Sequence, residues 1–507
     1  MKRGDLMFDL IIKNGTVIDG TGAEGFLADV AVNDGKIAAV GTGLGEALQV
    51  LDATGLTVTP GFIDSHSHSD GNALTFPQQI EKVEQGITTS IGGQCGSSVY
   101  PMRKDGKIIP MSNFLQRIAQ TPQGSHLATY CGHSTLRKAV MGMDVRDPSE
   151  EELEQMKDLL RDAMDAGAMG ISFGLIYTPS CYSKTEELIA LAKVAKEKGG
   201  IISAHIRNEG DHVIESVEEF ITIAKAANIR GVISHHKSSI QRNHGKVKTT
   251  IAMIEKANAE GCDIYCDVYP YIASHTRLAA TFVPSTYVNS HLAEYMADPA
   301  LRAEFKERGL NKWGEDLSWV QLTVCTAYPQ YTGMRISEAA KLHGKDQWDT
   351  LFDILENQPG CSACFFTMCE EDVETVMSWS RSMICTDSSI VGDKLTYHPR
   401  LRGSFPRTLG RYVRERQVVS LPEMIRKITS LPAHVYDLKG KGQIAPGFDA
   451  DICVFDPATI IDRATFTDPT HRAEGLKWVI VSGQVAAEDA VYNGNTSGKL
   501  LPRQTAL

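Results

Sequence analysis

Histidine, cysteine and aspartate side chains that could hold a metal ion recur at the ends of apolar runs in this chain. In GFIDSHSHSD, His66 and His68 are two residues apart, so the period of a strand places both imidazoles on one face together with Asp64. Four more candidates end later apolar runs, namely Cys95 in TTSIGGQCG, His205 in IISAHIRNE, His235 in GVISHHKSS and Asp387 in MICTDSS. Neutral imidazole and thiolate are preferred ligands of Zn²⁺ and similar ions.

Each of these residues taken singly also fits an ordinary structural role. A His-x-His pair arises by chance, a buried Cys or His is often a core residue, and an Asp in a CTDSS turn can cap a helix. The shared position at the ends of several apolar runs favours one joint site over six separate roles.

The elements that must position these residues are eight apolar runs that alternate with helical patterns. The runs lie around 61–68, 87–95, 127–133, 169–176, 201–206, 231–236, 263–269 and 382–387. Alternation of this kind is typical of βα units, and eight of them predict a (β/α)8 TIM barrel, whose active sites lie at the carboxyl ends of the strands. The alternative, an open doubly wound sheet, is disfavoured because no Gly-rich phosphate-binding turn follows the first run.

Helix starts are marked by two sequence patterns of the capping-box type. Ser149 with Glu152 precedes one amphipathic stretch, and Ser183 with Glu186 precedes another.

The two ends of the chain have a different texture from its middle. Residues 8–58 are short β-prone runs separated by turn residues, and the Asn14-Gly15 and Asp34-Gly35 pairs predict hairpins. Residues 442–457 and 477–486 have the same texture. Because neither flank is stable alone, we expect 1–59 and 438–507 to form one small β-sandwich domain, with the catalytic barrel at 60–437.

The seventh and eighth predicted strands are separated by residues 270–381, which is too much chain for one helix. We therefore expect an inserted lid region at about 280–350, over the top of the barrel.

Composition excludes several classes of protein. The 507 residues are 42% hydrophobic and 22% charged, as in an ordinary globular protein, and 51 basic against 62 acidic residues give a net charge of −11. That balance argues against a nucleic-acid partner, whose phosphates need a basic surface. No apolar run is long enough to predict a membrane span, and 11 cysteines, an odd number whose closest pair is Cys361 and Cys364, indicate reduced thiols, so we expect a soluble cytoplasmic protein.

Several motifs together resemble a known family. VTPGFIDSHSHSD, SAHIRNEG, ISHHKSS, DVYPYIAS, CTDSS and LPAHVYDLKGKGQIAPGFDADICVFDP are similar to the amidohydrolase superfamily, and within it to the N-acyl-D-amino-acid deacylase (D-aminoacylase) family. The resemblance runs through nearly the whole chain, and HxRNE, SHHK and YPY are its more diagnostic parts.

The resemblance implies a zinc ion held tightly by Cys95, His205 and His235. His66, His68 and Asp387 would complete this site or hold a second, weaker ion, and Asp387 would be the catalytic general base. The fourth predicted strand, GISFGLIY, has no lysine that could be carboxylated to bridge two metals. Cys95 would take the bridging role, which favours the D-aminoacylase family over hydantoinase-like and dihydroorotase-like enzymes.

Substrate-binding candidates follow from the carboxylate that an N-acyl amino acid carries, which suits Arg or Lys. Lys237 resembles the family's substrate-contacting lysine, and Arg400 is favoured over Arg402 as a carboxylate clamp. Tyr269, and with it Tyr271, offers a hydroxyl donor. Arg207, with Glu209, either contacts the substrate or forms a salt bridge that orients a metal ligand. The remaining histidines, which include His133, His275 and His398, are assigned to core or surface.

The function that these observations predict is zinc-dependent hydrolysis of the acyl amide of N-acyl-D-amino acids, a small-molecule substrate. One alternative is another amide or cyclic-ureide hydrolase of the superfamily, and a second is a non-catalytic scaffold barrel. The scaffold is disfavoured because all six metal and base positions hold residues able to do the chemistry. The sequence carries no signal for side-chain preference or oligomeric state.

Overall fold

The computed structural model describes residues 7–392 and 398–503, in which strands and helices alternate through the middle of the chain. The strands are β1 Phe8–Val17, β2 Phe26–Asn33, β3 Lys36–Gly41, β4 Ala47–Asp52, β5 Thr57–Pro60, β6 Phe62–Asp64, β7 Ile87–Gly92, β8 Met102–Lys104, β9 Lys107–Ile109, β10 His126–Thr129, β11 Cys131–Gly132, β12 Gly170–Gly174, β13 Ile201–His205, β14 Gly231–Ile233, β15 Ile264–Val268, β16 Ser274–Arg277, β17 Val320–Leu322, β18 Ser362–Phe365, β19 Ser382–Ile384, β20 Ile452–Phe455, β21 Leu476–Val481, β22 Gln484–Glu488 and β23 Val491–Tyr492.

The helices follow most of the central strands in the chain. They are α1 Ile80–Val83, α2 Met111–Ala119, α3 His133–Met141, α4 Glu150–Asp165, α5 Thr185–Glu197, α6 Val213–Ala227, α7 Lys246–Ala259, α8 Leu278–Phe282, α9 Leu292–Ala297, α10 Pro299–Trp313, α11 Ile336–His343, α12 Gln347–Asn357, α13 Glu370–Ser378, α14 Arg400–Arg407, α15 Leu421–Ile428 and α16 Ser430–Val435. A π-helical stretch, Thr408–Glu415, continues α14.

The central strands form a barrel of the TIM type. Strands β6, β7 and β10 form one parallel sheet in the order β10-β7-β6. A second parallel sheet has the order β11-β12-β13-β14-β15-β19. Since only Tyr130 separates β10 from β11, these two segments are one chain passage that joins the two sheets. The barrel closes where β6 meets β19, through a parallel bridge between Ser67 and Ser388 and a 2.9 Å bond from the Asp387 N–H to the His66 carbonyl. Each of the eight predicted runs overlaps one strand passage of the barrel, with β10 and β11 counted as one.

Two local expectations about helix starts had different outcomes. Ser149 and Glu152 form the predicted capping box of α4, each side chain accepting from the other's N–H. The expectation for Ser183 was wrong, because α5 begins at Thr185 without a side-chain cap. The Ser183 hydroxyl instead donates to the Ser180 carbonyl at 2.7 Å in the preceding turn.

Strands from both ends of the chain join one nine-stranded sheet, in which β20 pairs antiparallel with β5. The Asp34-Gly35 pair forms the predicted turn between β2 and β3. The Asn14-Gly15 pair does not form a turn, since it lies inside β1, where the pairing register with β2 shifts. Asn14 has a φ of 61°, so the left-handed conformation that the pair favours forms a bulge there.

The chain between β15 and β19 builds a separately packed segment. Strands β16, β18 and β17 form an antiparallel sheet. Residues of this sheet and of α8 to α12, among them Leu278, Phe282, Trp348 and Phe352, form a hydrophobic cluster of their own.

None of the helices in the described part of the chain combines the length and the hydropathy that crossing a membrane requires. The described residues contain no disulfide bond.

Candidate metal centre

The six predicted ligands lie at one mouth of the barrel, at or just beyond the carboxyl ends of five strands. His66 and His68 follow β6, Cys95 follows β7, His205 ends β13, His235 follows β14 and Asp387 follows β19. Parallel strands place their carboxyl ends on the same side of a barrel, so residues far apart in sequence converge there.

Cys95 is the centre of this cluster. Its Sγ lies 3.3 Å from His66 Nε2, 3.3 Å from His235 Nε2 and 3.8 Å from His205 Nδ1. The thiol is buried, as are the three imidazoles.

Asp387 gathers the remaining ligand atoms. Its Oδ1 lies 3.2 Å from His68 Nε2 and 3.5 Å from His66 Nε2. In the described part of the chain, two groups of three or more His, Cys, Asp or Glu side chains have ligand atoms within 4.8 Å of one another, and Cys95 belongs to both. The groups are His66, His68, Cys95 and Asp387, and Cys95, His205 and His235.

The donor set fits zinc. A tetrahedral zinc site with bonds of about 2.0 to 2.3 Å has ligand atoms about 3.3 to 3.8 Å apart. The three distances from Cys95 Sγ lie in that range. Nitrogen, thiolate sulfur and carboxylate oxygen are also the atoms that zinc takes in proteins.

Three of the six candidates have a strained backbone. Cys95, His235 and Asp387 have φ values of 52°, 37° and 47°, in the left-handed region that residues other than glycine rarely adopt. Strain of this kind persists where surrounding contacts enforce it, and it is concentrated at functional sites.

Two carboxylates, the partly buried Glu209 and the fully buried Asp267, lie on the sides of the imidazoles that face away from Cys95. Glu209 Oε1 is 3.0 Å from His235 Nδ1, and Glu209 Oε2 is 3.5 Å from His205 Nε2. Lys237 Nζ lies 2.8 Å from the same His235 Nδ1. In the tautomer whose Nδ1 proton faces Glu209, the Nε2 lone pair is free for a metal. Asp267 is placed similarly, since its Oδ1 lies 3.5 Å from His66 Nδ1 and accepts from the His235 N–H at 2.6 Å.

The electrostatics favour the ionised ligands. Although burial alone would raise it, the charges of His66 and His235 hold the pKa of the Cys95 thiol well below its usual value. Burial would also raise the pKa of Asp387, but Arg400, followed by His235, holds it well below the ordinary range. Both groups are therefore ready to bind a cation as anions.

A cavity of about 660 Å³ opens over the cluster. Its lining includes Lys237, Tyr269 and Arg400, three of the predicted substrate-binding residues. Arg400 Nη1 donates to Asp387 Oδ2 at 2.7 Å, and its guanidinium lies 5.2 Å from the centre of the Tyr269 ring. Lys237 Nζ donates to Glu209 Oε1 at 2.5 Å.

Arg207 is not brought to the cavity. Its guanidinium donates twice to Glu219 at 2.9 Å and also to the carbonyls of Cys181 and Ser183. These bonds hold it against the start of α5 and the side of α6, so direct substrate contact by Arg207 gains no support. Of the two residues expected to orient a ligand, Glu209 is the one that contacts the histidines.

Arg402 and Tyr271, which the sequence left as alternatives, also lie away from the cavity lining. Arg402 Nη1 donates to Glu84 Oε2 at 2.8 Å, and the Tyr271 ring lies 4.8 Å from the Arg407 guanidinium.

Sequence reasoning missed three residues of the cavity wall, Tyr177, His275 and His398. The Tyr177 ring packs edge-on against His205, with ring centres 5.0 Å apart. Tyr177 is three residues beyond β12, so the end of the fourth strand was the available signal. His275 is on β16 in the separately packed segment, whose placement over the mouth no short sequence pattern specifies.

Comparison with known proteins identifies the family. The profile described as "Amidohydrolase family" matches residues 49–277 and 383–487. The chain belongs to the amidohydrolase family. The unmatched residues between those ranges contain most of the separately packed segment of this amidohydrolase.

Relatives place the chain in the D-aminoacylase branch of the family. D-aminoacylase of Alcaligenes xylosoxydans xylosoxydans is 35% identical to it in an alignment of 514 positions that covers 98% of each chain. A crystal structure of N-acyl-D-glutamate deacylase from Bordetella bronchiseptica, complexed with zinc and a phosphonate inhibitor that mimics the tetrahedral intermediate, has a TM-score of 0.86 at 32% identity. That match covers 98% of this amidohydrolase and 100% of the other chain.

A D-aminoacylase structure reported for its binuclear metal centre, with one-metal activation and second-metal attenuation, has a TM-score of 0.85 at 35% identity and the same coverage.

Proposed function

We propose that this amidohydrolase uses zinc to hydrolyse the acyl amide bond of N-acyl-D-amino acids, giving a carboxylate and a free D-amino acid. The observation that carries the proposal is that Cys95 belongs to both groups of metal-ligand atoms. These groups lie beside a cavity whose lining includes the buried side chains of Lys237 and Arg400. The D-aminoacylase and N-acyl-D-glutamate deacylase relatives support the same substrate class.

In this proposal Cys95, His205 and His235 would hold one zinc ion tightly, and His66, His68 and Asp387 would complete the site or, with Cys95, hold a second ion more weakly. Zinc supplies Lewis acidity, which makes water nucleophilic near neutral pH and polarises an amide carbonyl. Glu209 Oε1, 3.0 Å from His235 Nδ1, and Asp267 Oδ1, 3.5 Å from His66 Nδ1, favour the imidazole orientations that turn the other ring nitrogens toward Cys95.

Asp387 is the general base and acid of the proposed reaction. Its carboxylate takes a proton from the attacking water and gives it to the departing amide nitrogen, which must be protonated to leave as an amine. The low pKa of Asp387 keeps it ionised at neutral pH. Its left-handed backbone turns the side chain back toward His68 and His66.

Lys237, Tyr269 and Arg400 bind the substrate carboxylate. Lys237 and Arg400 are 3% and 6% exposed, so a carboxylate between them is paired in a region of low dielectric, where ion pairing is strongest. Arg207 is absent from this part of the proposal because its guanidinium is bonded to Glu219. Tyr269 contributes its hydroxyl and a ring face that both cations approach.

The domain division belongs to the proposal as well. We infer a small β-sandwich domain from 1–59 and 438–507, a catalytic barrel at 60–437 and a lid at about 280–350. The separate hydrophobic cluster around Trp348 supports the lid, since a segment with its own core can move as a unit over the mouth. Cysteines without a disulfide in the described part of the chain support a cytoplasmic location.

The test is hydrolysis of paired N-acetyl-D- and N-acetyl-L-amino acids by the zinc-loaded enzyme, measured as the rate at which free amine is released. We expect activity on D-substrates, and equal rates on both enantiomers, or none on either, would refute the proposal. Rapid opening of dihydroorotate or a hydantoin would favour the cyclic-ureide alternative. That alternative is disfavoured because β12 carries no lysine and Cys95 belongs to both groups of ligand atoms.

A further inference from the structure

A fully buried lysine lies behind the candidate metal centre, outside the cavity. Lys82 is on the short helix α1, and none of its side chain is exposed. Its Nζ donates to Asp64 Oδ2 at 2.9 Å, to Thr386 Oγ1 at 2.6 Å and to Ser388 Oγ at 2.9 Å. An ammonium group has three protons, so these partners satisfy it completely.

The partners of Lys82 flank the proposed metal ligands. Asp64 is two residues before His66, and Thr386 and Ser388 are the two neighbours of Asp387. Asp64 also accepts from the Thr386 N–H at 2.8 Å and from the Thr386 hydroxyl at 2.6 Å. One ammonium group therefore joins the first barrel strand to both sides of the Asp387 peptide unit.

This connection lies where the barrel has little backbone pairing. Strands β6 and β19 share no continuous ladder, and Ser67 and Ser388 form an isolated bridge. Side-chain hydrogen bonds therefore add to the few backbone hydrogen bonds between the two segments. The seam also carries three of the six proposed ligands, and Asp387 is held there at a φ of 47°.

We propose that Lys82 is a positioning residue, which holds the β6–β19 seam through Asp64, Thr386 and Ser388 and thereby aims Asp387 and the His66–His68 pair at one point. This inference rests on the proposed function, in which these side chains hold zinc at that point. Lys82 Nζ bonds to none of the ligand atoms and does not line the cavity, so its effect passes through the backbone of the residues it holds.

Lys427, at the other end of β19, offers a matched control. Lys427 is also 0% exposed, and its Nζ donates to the Trp379 carbonyl and to the Ser382 carbonyl and hydroxyl. Ser382 begins β19 at the end away from the metal centre. A lysine that only stabilises the strand should behave like Lys427.

The experiment compares Lys82→Met with Lys427→Met. Zinc affinity is measured by titrating metal-free protein against a chromophoric chelator, and kcat and KM are measured on an N-acetyl-D-amino acid. We expect Lys82→Met to weaken the weaker zinc step and to lower kcat by about 10- to 100-fold each, the range seen when groups behind metal ligands are lost. KM and the tight zinc step should stay close to wild type, because Lys237, Arg400 and the Cys95–His205–His235 group are untouched.

Lys427→Met should lower thermal stability without changing zinc affinity or kcat. The inference is overturned if both variants retain wild-type zinc affinity and kcat, or if both lose them equally. Should Lys82→Met fail to fold, Thr386→Val keeps the Lys82–Asp64 charge pair and removes only the bridging hydroxyl. We expect Thr386→Val to show the same loss in kcat and weak-site affinity, and Thr386→Ser to restore both. A Thr386→Val enzyme with wild-type values overturns the inference.

The zinc titration separates this inference from the proposed function. If the wild-type enzyme releases no amine from any N-acyl-D-amino acid, the proposed function fails. The difference in zinc affinity between Lys82→Met and Lys427→Met still decides whether Lys82 positions the metal ligands.

Discussion

Replacing Asp387 by Asn tests the proposed proton transfer with little change of shape. Asn tolerates the left-handed backbone that Asp387 adopts, so the turn should persist. The change removes the negative charge that pairs with Arg400 at 2.7 Å and with His68 at 3.2 Å. It therefore separates the loss of a base from the loss of the fold.

The magnitudes distinguish these two effects. Losing a general base should lower kcat by about 100- to 10,000-fold, which is about 2.7 to 5.4 kcal/mol of activation free energy. Breaking a buried ion pair costs about 3 to 5 kcal/mol of stability, against a total of about 5 to 15 kcal/mol. Because Arg400 also keeps the Tyr269 ring at 5.2 Å and lines a cavity, we expect the lower part of that range and a folded enzyme.

The direction in which KM changes shows whether Asp387 acts in catalysis or in substrate binding. Without the Asp387 charge, Arg400 is free to pair with the substrate carboxylate, so KM should stay constant or fall while kcat collapses. The assay is release of free amine from an N-acetyl-D-amino acid, together with zinc analysis of each preparation. Asp437→Asn is the matched control, since Asp437 is another left-handed aspartate, with a φ of 51°, but is exposed and outside the cavity lining. A near-normal kcat for Asp387→Asn would remove Asp387 from the mechanism, and a large rise in KM would assign it to binding instead.

Two further predictions concern binding and acid stability. Lys237→Met should raise KM by about 10- to 150-fold with a smaller change in kcat, as expected for losing a charge-assisted hydrogen bond of about 1.5 to 3 kcal/mol, and an unchanged KM in steady-state kinetics would contradict its role. Asp451 should contribute to acid unfolding, because Lys441 and then His126 hold its pKa well below the usual value in spite of burial. A depressed carboxyl pKa stabilises the fold above the unfolded value of about 3.9 and loses that effect as the pH falls below it, so Asp451→Asn should lower stability at pH 7 and flatten its decline between about pH 5 and pH 2. Equal stability–pH slopes for the two proteins would contradict this.

The barrel and the position of its metal centre could be predicted because both follow from local periodicity. Apolar runs mark the strands, and a chemically distinctive residue at the end of five of the eight runs faces the mouth. His66, Cys95, His205, His235 and Asp387 were found in this way. The same logic could not select among polar residues without distinctive chemistry, such as Tyr177.

The features that sequence reasoning missed depend on tertiary contacts. Asn14-Gly15 favours a left-handed backbone, but a bulge and a hairpin turn need the same conformation, so the pair could not decide between them. Ser183 has the spacing of a helix cap, but its hydroxyl donates to the Ser180 carbonyl instead. Arg207 follows the period of two from His205, but Glu219 on α6 holds its guanidinium away from the cavity. Lys82 lies on a short helix with no pattern of its own, and only barrel closure reveals its partners.

The most direct test of the metal centre is a crystal structure of the zinc-loaded enzyme with anomalous data collected at the zinc edge. We predict a peak about 2.3 Å from the Cys95 sulfur and about 2.0 to 2.1 Å from the nearest ring nitrogens of His205 and His235. A second, weaker peak should lie near His66, His68 and Asp387. Zinc bound elsewhere, or a peak at His235 that leaves Cys95 or His205 beyond bonding distance, would contradict the account.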